Sequence, residues 1–269
     1  MYHAFRQHPI PGDDITPADF AAQLARFQQD GFHVIRLSQL EAFVSGHGTV
    51  PANALLLSFD NGYASMYQYA YPLLLRYHDP ATLFLIGSWL YAHGAPAGVQ
   101  PLTLAETRQM LASGLISIGT QGWAVHTGVA VGPDSSEAAD IGRRYNLATH
   151  RRESLAAYDQ RVTNDLRHAQ RVLTQLGGEP VRAFAYPFGD YRPRLIHLLH
   201  LTGYRYLFTA KLGWANLQGH PTDVLYRLNV GSEGTTPADA LSAIRSVAYD
   251  AARHPGYRPP PRLIEVWHP

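Results

Sequence analysis

Four short stretches of the sequence place side chains that could do chemistry directly after apolar runs. In the clearest of them, residues 55–63, an apolar run ends in Asp60-Asn61-Gly62. A carboxylate in such a place can act as a general base or bind a hard cation. The plain structural interpretation is that Asn61-Gly62 forms a turn and Asp60 caps the next helix. The other three stretches are Tyr2-His3, residues 121–126, and Arg182 with Tyr186-Pro187-Phe188-Gly189.

The elements that must position these residues alternate between strand-like and helical patterns. Apolar runs predict strands over residues 54–59, 81–86, 115–119, 181–186, 204–209 and 224–230. Helical patterns lie before, between and after them, at residues 16–30, 65–77, 104–113, 153–176, 193–202 and 237–252. Alternation of this kind predicts an α/β fold, and repeated βα units predict a distorted or incomplete (β/α) barrel. The carboxyl ends of barrel strands converge on one face, so the four stretches are expected to meet there.

Composition narrows the class of protein. With 269 residues, 46% of them hydrophobic and 16% charged, we predict a single domain over residues 1–269. The absence of cysteine excludes disulfides and thiolate metal sites, and a net charge of +1 without a basic block does not indicate a nucleic-acid partner. No apolar run reaches the roughly 18 residues of a transmembrane segment, and no signal peptide is visible at the start. Residues 127–152 form a long polar stretch that predicts a functional or disordered loop.

The order of these motifs resembles the polysaccharide deacetylase domain, also called the NodB-homology domain or carbohydrate esterase family 4. Residues 58–63 resemble its first motif, residues 120–126 its second and residues 182–189 its third. The start, Met1-Tyr2-His3, resembles the branch that de-N-acetylates poly-β-1,6-N-acetylglucosamine, in which the catalytic-histidine motif lies at the N-terminus. The resemblance covers essentially the whole chain. It implies a barrel of the NodB type.

The resemblance also implies metal-assisted hydrolysis of an acetamide. Asp60 corresponds to the general base, and His3 corresponds to the acid that protonates the leaving amine. Arg182 corresponds to the arginine that steadies the base. The backbone N–H of Tyr186 would help to hold the oxyanion, and Trp123 is a candidate substrate contact.

The metal site of the family corresponds to Asn61, Gln121 and His126, where the family has one aspartate and two histidines. The implied cofactor is a divalent ion such as Zn, Co or Ni. Two of its three ligands are replaced here by neutral carboxamides, which bring no charge and do not substitute for imidazole nitrogen. We therefore expect the chain not to hold a catalytic metal tightly. Three alternatives stay open: an active deacetylase with an unusual metal site, a glycan-binding domain without catalysis, and an interaction domain of an exopolysaccharide system.

The implied partner is an N-acetylated polysaccharide of the kind found in biofilms, and the implied location is periplasmic or extracellular. Aromatic side chains in predicted loops are candidates for stacking on sugar rings. They are Trp123, Tyr186, Phe188, Tyr191 and Trp214.

Overall fold

A five-stranded parallel sheet forms the centre of the computed structural model, which describes residues 1–10, 12–91, 93–137, 139–213, 216, 218–219 and 222–253. In this part of the chain the strands are β1 (Ala4–Phe5), β2 (Asp14–Ile15), β3 (His33–Val34), β4 (Ala54–Leu55), β5 (Leu57–Asn61), β6 (Ala81–Leu85), β7 (Ile116–Thr120), β8 (Val129–Ala130), β9 (Ser136–Glu137), β10 (Tyr145–Asn146), β11 (Arg151–Arg152), β12 (Ala183–Ala185) and β13 (Tyr206–Phe208). The helices are α1 (Pro17–Gln29), α2 (Leu37–Val44), α3 (Tyr71–Tyr77), α4 (Leu104–Ala112), α5 (Leu155–Gly177), α6 (Pro193–Leu201) and α7 (Pro237–Arg253). The sheet order is β13-β12-β7-β6-β5, with all four neighbouring pairs parallel. The predicted α/β class is confirmed.

The helices begin and end where local chemistry satisfies their backbone groups. The Thr16 hydroxyl accepts from the Asp19 N–H at the start of α1, and the Ser154 hydroxyl accepts from the Ala157 N–H at the start of α5. Helix α5 ends at Gly177, and the next residue, Gly178, takes a left-handed conformation with φ 78°. Its buried side chains recur every three or four positions and face the sheet: Tyr158, Val162, Leu166, Ala169 and Leu173.

Two irregular segments curl the sheet towards a closed ring. At the β5 edge, the Tyr2 N–H donates to the Ser58 carbonyl and the Asp60 N–H donates to the Tyr2 carbonyl, both at 2.9 Å. At the β13 edge, Leu225 forms a parallel bridge with Phe208. The Met1 ammonium then donates to the Leu228 carbonyl at 2.7 Å, so residues 225–230 join the two edges. The predicted strand at 224–230 is therefore only a bridge, and the predicted distorted, incomplete barrel is confirmed.

Helix α2, which the sequence patterns did not reveal, packs against the interior of the curled sheet. Its buried residues Leu37, Leu40 and Val44 share a hydrophobic cluster with Phe84 of β6 and Phe208 of β13. A layer of apolar side chains therefore lies beneath the polar groups at the carboxyl ends of the strands.

The long stretch at 127–152 is ordered in the part that the structure describes, which excludes residue 138. It contains two small antiparallel pairs, β8–β9 and β10–β11. Arg161 of α5 ties it down, since its guanidinium pairs with Asp140 at 3.0 Å and with Glu153 at 2.8 Å. These ion pairs and the buried side chain of Ile141 fix the stretch, so it is a packed segment and not a disordered loop.

Candidate active site

Asp60, at the carboxyl end of β5, is held by a bidentate ion pair with Arg227. Arg227 Nη1 lies 2.6 Å from Asp60 Oδ1, and Arg227 Nη2 lies 2.8 Å from Asp60 Oδ2. Both side chains are about as buried as a core residue, with 6% and 5% of their surface exposed. Burial alone would raise the pKa of the Asp60 carboxyl, but the charge and hydrogen bonds of Arg227 outweigh it and hold the pKa below its usual range. Asp60 is therefore an ionised carboxylate with a fixed partner.

Arg182 does not reach this site, so the prediction that it steadies Asp60 is corrected. Arg182 precedes β12 and is exposed, and its carbonyl accepts from the N–H groups of Arg205 and Tyr206. It therefore lies at the amino end of its strand, whereas Asp60 lies at the carboxyl end of a parallel one. The residue that pairs with Asp60 was missed. An arginine inside the predicted apolar strand 224–230 was the available signal, because a buried charge requires a partner.

The ring of His3 faces Asp60 across a short gap. Its Nε2 lies 4.0 Å from Asp60 Oδ2, and its Nδ1 lies 3.9 Å from Asp13 Oδ2 on the other side of the ring. Burial lowers the pKa of His3 even though Asp60 raises it. The parallel pairing of Tyr2 with Phe59 fixes this position, since it sets His3 beside the end of β5. The structure thus brings together the predicted base and acid, while their roles stay predictions.

Asn61 and Gln121, which the resemblance predicts at the metal-ligand positions, bond to each other. Gln121 Nε2 donates to Asn61 Oδ1 at 2.6 Å and to the Phe84 carbonyl at 3.3 Å. A backbone carbonyl only accepts, so Nε2 must face Phe84, which fixes the orientation of the Gln121 amide. Asn61 Nδ2 in turn donates to the Tyr63 hydroxyl at 3.2 Å. Asn61 has a left-handed backbone with φ 71°, which asparagine tolerates better than most residues.

These residues do not fit a catalytic divalent ion. The Asn61 oxygen that would face the ion already accepts a hydrogen bond from Gln121, and neither amide carries charge. His126 is the single imidazole of the set, and burial lowers its pKa. Within the described part of the chain, no group of three or more His, Cys, Asp or Glu residues could hold a metal ion.

The turn that carries Gln121 and His126 is fixed by Asp165 of α5, which sequence reasoning also missed. Asp165 Oδ1 accepts from the Trp123 N–H and Oδ2 accepts from the Ala124 N–H, both at 2.8 Å. Burial raises the pKa of Asp165, and the two N–H groups oppose that shift. Two charge-assisted bonds of this length make a rigid clamp on the loop. No sequence signal separated this aspartate from the other polar residues of the helix.

Two exposed aromatic rings lie on the segments that follow β6 and β12. Phe188 is 53% exposed, and its ring centre lies 4.4 Å from that of His126. Tyr91 is 41% exposed, and its ring centre lies 5.6 Å from that of Trp123. Trp123 is half-buried. Trp214 lies outside the described residues.

Tyr186 is not available for the role predicted for it. Its side chain is buried, and its hydroxyl donates to the Asp223 carbonyl at 2.8 Å. Its backbone N–H donates to the Phe208 carbonyl at 2.8 Å, as part of the pairing between the strands. An N–H used in the sheet does not bind an oxyanion, so the prediction for Tyr186 is corrected. Tyr191 packs on Tyr186, and the Lys211 ammonium lies over the ring of Tyr191.

The fold and the site together define an α/β barrel domain with a cluster of polar side chains at the carboxyl ends of its strands. The family model described as polysaccharide deacetylase matches residues 47–207, which is more than half of the chain. The chain therefore belongs to the polysaccharide deacetylase family, whose members are generally metal-dependent. The matched residues include Asp60, Asn61, Gln121 and His126, while His3 and Arg227 lie outside them.

Individual relatives place the chain near deacetylases of poly-β-1,6-N-acetylglucosamine. The poly-β-1,6-N-acetyl-D-glucosamine N-deacetylase of Escherichia coli (strain K12) is 26% identical over 208 residues, covering 72% of this chain and 30% of that protein. The chain thus spans less than a third of that relative's length. A de-N-acetylase structure from Aggregatibacter actinomycetemcomitans superposes with a TM-score of 0.81 at 24% identity, covering 92% of this chain and 97% of that one. The BpsB deacetylase domain from Bordetella bronchiseptica gives a TM-score of 0.67 at 27% identity, covering 75% and 80%.

None of the helices in the described residues is long and apolar enough to cross a membrane.

Proposed function

We propose that this domain binds an N-acetylated hexosamine polymer, with one N-acetyl group entering the pocket above Asp60 and the amide pair. The observation that supports this best is the exposed ring of Phe188, which packs on His126, together with the buried polar side chains of Asp60, Asn61 and Gln121. Aromatic faces stack on the apolar faces of sugar rings, while buried polar groups fix orientation. The names of the relatives point to the same class of polymer. By the same resemblance we propose an exported location.

The polar groups of Asp60, Asn61 and Gln121 suit binding of a sugar better than metal-assisted hydrolysis. A Zn, Co or Ni ion in this family would polarise the acetamide carbonyl, and the amide pair of Asn61 and Gln121 does not provide the ligands for it. The chain's own residues provide fixed polar groups that can orient a polar group of the sugar. Asp60 is fixed by Arg227, and His3 points its Nε2 at the same carboxylate.

Amide hydrolysis is the second candidate, because one observation favours it. His3 Nε2 and Asp60 Oδ2 are 4.0 Å apart, which leaves an acid and a base on the same pocket. If hydrolysis occurs, Asp60 takes a proton from the attacking water and His3 gives one to the leaving amine.

Calorimetry with β-1,6-linked N-acetylglucosamine oligomers tests binding, and acetate release tests hydrolysis. We expect saturable binding that Phe188→Ala weakens by about tenfold, consistent with loss of one stacking contact. The matched control is Leu201→Ala, since Leu201 is 61% exposed at the end of α6 and away from Phe188. Acetate release is measured with a chelator and with added Zn²⁺, Co²⁺ and Ni²⁺, and we expect none above background. Failure of the oligomers to bind would reject the binding function, and metal-dependent acetate release would favour the enzyme.

A further inference from the structure

We propose that a second sugar-binding site lies outside the barrel mouth, in a groove between helix α4 and the helical segment that follows β5. This inference rests on the proposed function, because it assigns the groove to a further stretch of the same polymer. The groove has a volume of about 630 Å³, which falls within the range of about 300–1,000 Å³ that is usual for small-molecule sites. Its polar and aromatic lining consists of Tyr67, Gln68, Tyr71, Gln100, Glu106 and Gln109.

The carboxamides of the groove have hydrogen-bonding groups to spare. The side chains of Gln68 and Gln100 are exposed and make no hydrogen bond to the described part of the chain. Gln109 Oε1 accepts from the Tyr67 hydroxyl at 2.8 Å, so both hydrogens of Gln109 Nε2 point elsewhere. Each amide offers donors and an acceptor, and three of them on one groove suit a ligand that carries several hydroxyl groups.

The charge of the groove favours a neutral ligand. Among the described residues that line it, Glu106 is the single charged side chain. Its Oε2 accepts from the Thr103 N–H and the Thr103 hydroxyl, both at 2.8 Å, at the start of α4. A phosphate or carboxylate group would find no arginine or lysine in this lining to pair with, whereas a neutral sugar needs none.

The ring of Tyr67 supplies a surface for stacking. Tyr67 and Tyr71 are one helical turn apart, and their ring centres lie 5.8 Å apart with planes 18° from parallel. Tyr71 is buried and Tyr67 is half-buried, and the hydroxyl of Tyr67 is tied to Gln109 of α4. The ring of Tyr67 is therefore held in place before a ligand arrives, which lowers the entropic cost of stacking a sugar ring on it.

The backbone that carries Tyr67 and Gln68 is itself unusual. Residues Met66–Ala70 form a π-helical turn, in which the Tyr71 N–H donates to the carbonyl of Met66, five residues earlier. Such turns are rare and occur frequently at functional sites. This feature is independent of the side-chain composition, and it too indicates a binding role for the groove.

The groove is connected to the candidate active site through the chain that leaves β5. Ala64 lines the groove and follows Asn61 by three residues, so their Cα atoms lie at most about 11 Å apart. Two backbone hydrogen bonds of 2.8 and 2.9 Å hold residues 62–64 against residues 100–102. A polymer with one unit above Asp60 can therefore extend into the groove, and two contacts on one chain raise its apparent affinity.

NMR titration of the nitrogen-15-labelled protein with a β-1,6-linked N-acetylglucosamine disaccharide tests whether there are two sites. We expect the disaccharide to shift the amide signals of residues 66–71 and 104–109 as well as those of residues 121–126. Calorimetry with the hexamer tests whether the groove contributes to binding of longer chains.

Variants assign the effect to the amides of the groove. Gln68→Ala combined with Gln109→Ala should weaken hexamer binding by about tenfold, as expected for loss of two hydrogen bonds, and should leave the disaccharide shifts of residues 121–126 unchanged. The single variant Gln68→Ala should weaken hexamer binding by about threefold, and it removes a side chain without a partner in the described chain. The matched control is Gln28→Ala combined with Gln175→Ala, two exposed glutamines on α1 and α5, and it should bind the hexamer as the wild type does.

The outcomes separate the inference from the proposed function. Disaccharide shifts at residues 121–126 without shifts in the groove overturn this inference and leave the proposed function standing. Shifts in the groove alone support the groove and overturn the placement of a sugar above Asp60. Absence of shifts at either place overturns both. If the control variant weakens hexamer binding as much as the groove variant does, the assignment to the groove is wrong.

Discussion

Replacing Arg227 by methionine should destabilise the protein far more than the same change at Arg182. Arg227→Met leaves the Asp60 carboxyl 5% exposed and without its partner at 2.6 and 2.8 Å. Breaking a buried ion pair from one side costs about 3–5 kcal/mol in free energy of unfolding. At about 2–4 °C per kcal/mol, that corresponds to a melting temperature lower by about 6–20 °C. Arg182 is exposed, so Arg182→Met should cost less than about 1 kcal/mol.

The assay is urea unfolding at neutral pH, followed by circular dichroism, for both single variants and for the double variant Asp60→Leu with Arg227→Met. Because the double variant removes both charges, it should recover part of the loss. A cost below about 1 kcal/mol for Arg227→Met, or an equal cost for Arg182→Met, would refute the assignment of Arg227 as the partner of Asp60.

Three further predictions concern the metal position, a helix carboxylate and the loop clamp. Asn61→Asp combined with Gln121→His should gain zinc binding in calorimetry, whereas Asn61→Asp alone should not, because Gln121 supplies no imidazole nitrogen. Tight zinc binding by the single variant would contradict this reasoning. Burial raises the pKa of Glu41 to about 7, so the folded protein favours the neutral carboxyl. The stability that this preference contributes is fully present below the ordinary carboxyl pKa and is lost as the pH rises to about 7. Glu41→Gln should therefore stabilise the protein by about 1–3 kcal/mol above pH 7 in urea titrations and by almost nothing near pH 4, and an equal effect at both would contradict it. Asp165→Asn removes one of two acceptors for the Trp123 and Ala124 N–H groups, so their hydrogen exchange should accelerate while that of residues 225–230 stays unchanged.

The parts of the fold that depend on local pattern were predictable from the sequence. Alternation of apolar runs and helical stretches indicated the strands of the central sheet, and the helix starts predicted at residues 16 and 153 lie within two residues of the observed starts of α1 and α5. The Asp60-Asn61 motif was also placed correctly at the end of a strand, because the apolar run before it stops there.

The parts that depend on pairing between distant segments were not predictable. Arg227 lies 167 positions from Asp60, and only the closing of the ring brings them together. The prediction for the Tyr186 N–H was wrong for a related reason, since this N–H donates its hydrogen bond to Phe208 in the next strand. Asp165 resembles any polar helix residue until the turn at 122–126 is folded over it. Local pattern thus identifies the polar residues of the candidate site, whereas their partners follow from tertiary structure.

The irregular closure of the barrel has a consequence for how the protein folds. The neighbouring pairs of the central sheet and its helices can form from segments that follow one another along the chain. The contacts that complete the pocket are of another kind: Met1 meets Leu228 across 227 positions, and Arg227 meets Asp60 across 167. Contacts between such distant segments carry the largest loop-closure cost, so we expect them to form late. A folding intermediate with a complete sheet and an unclosed barrel would have Asp60 without its arginine, so we expect the candidate site to be completed only in the last step of folding.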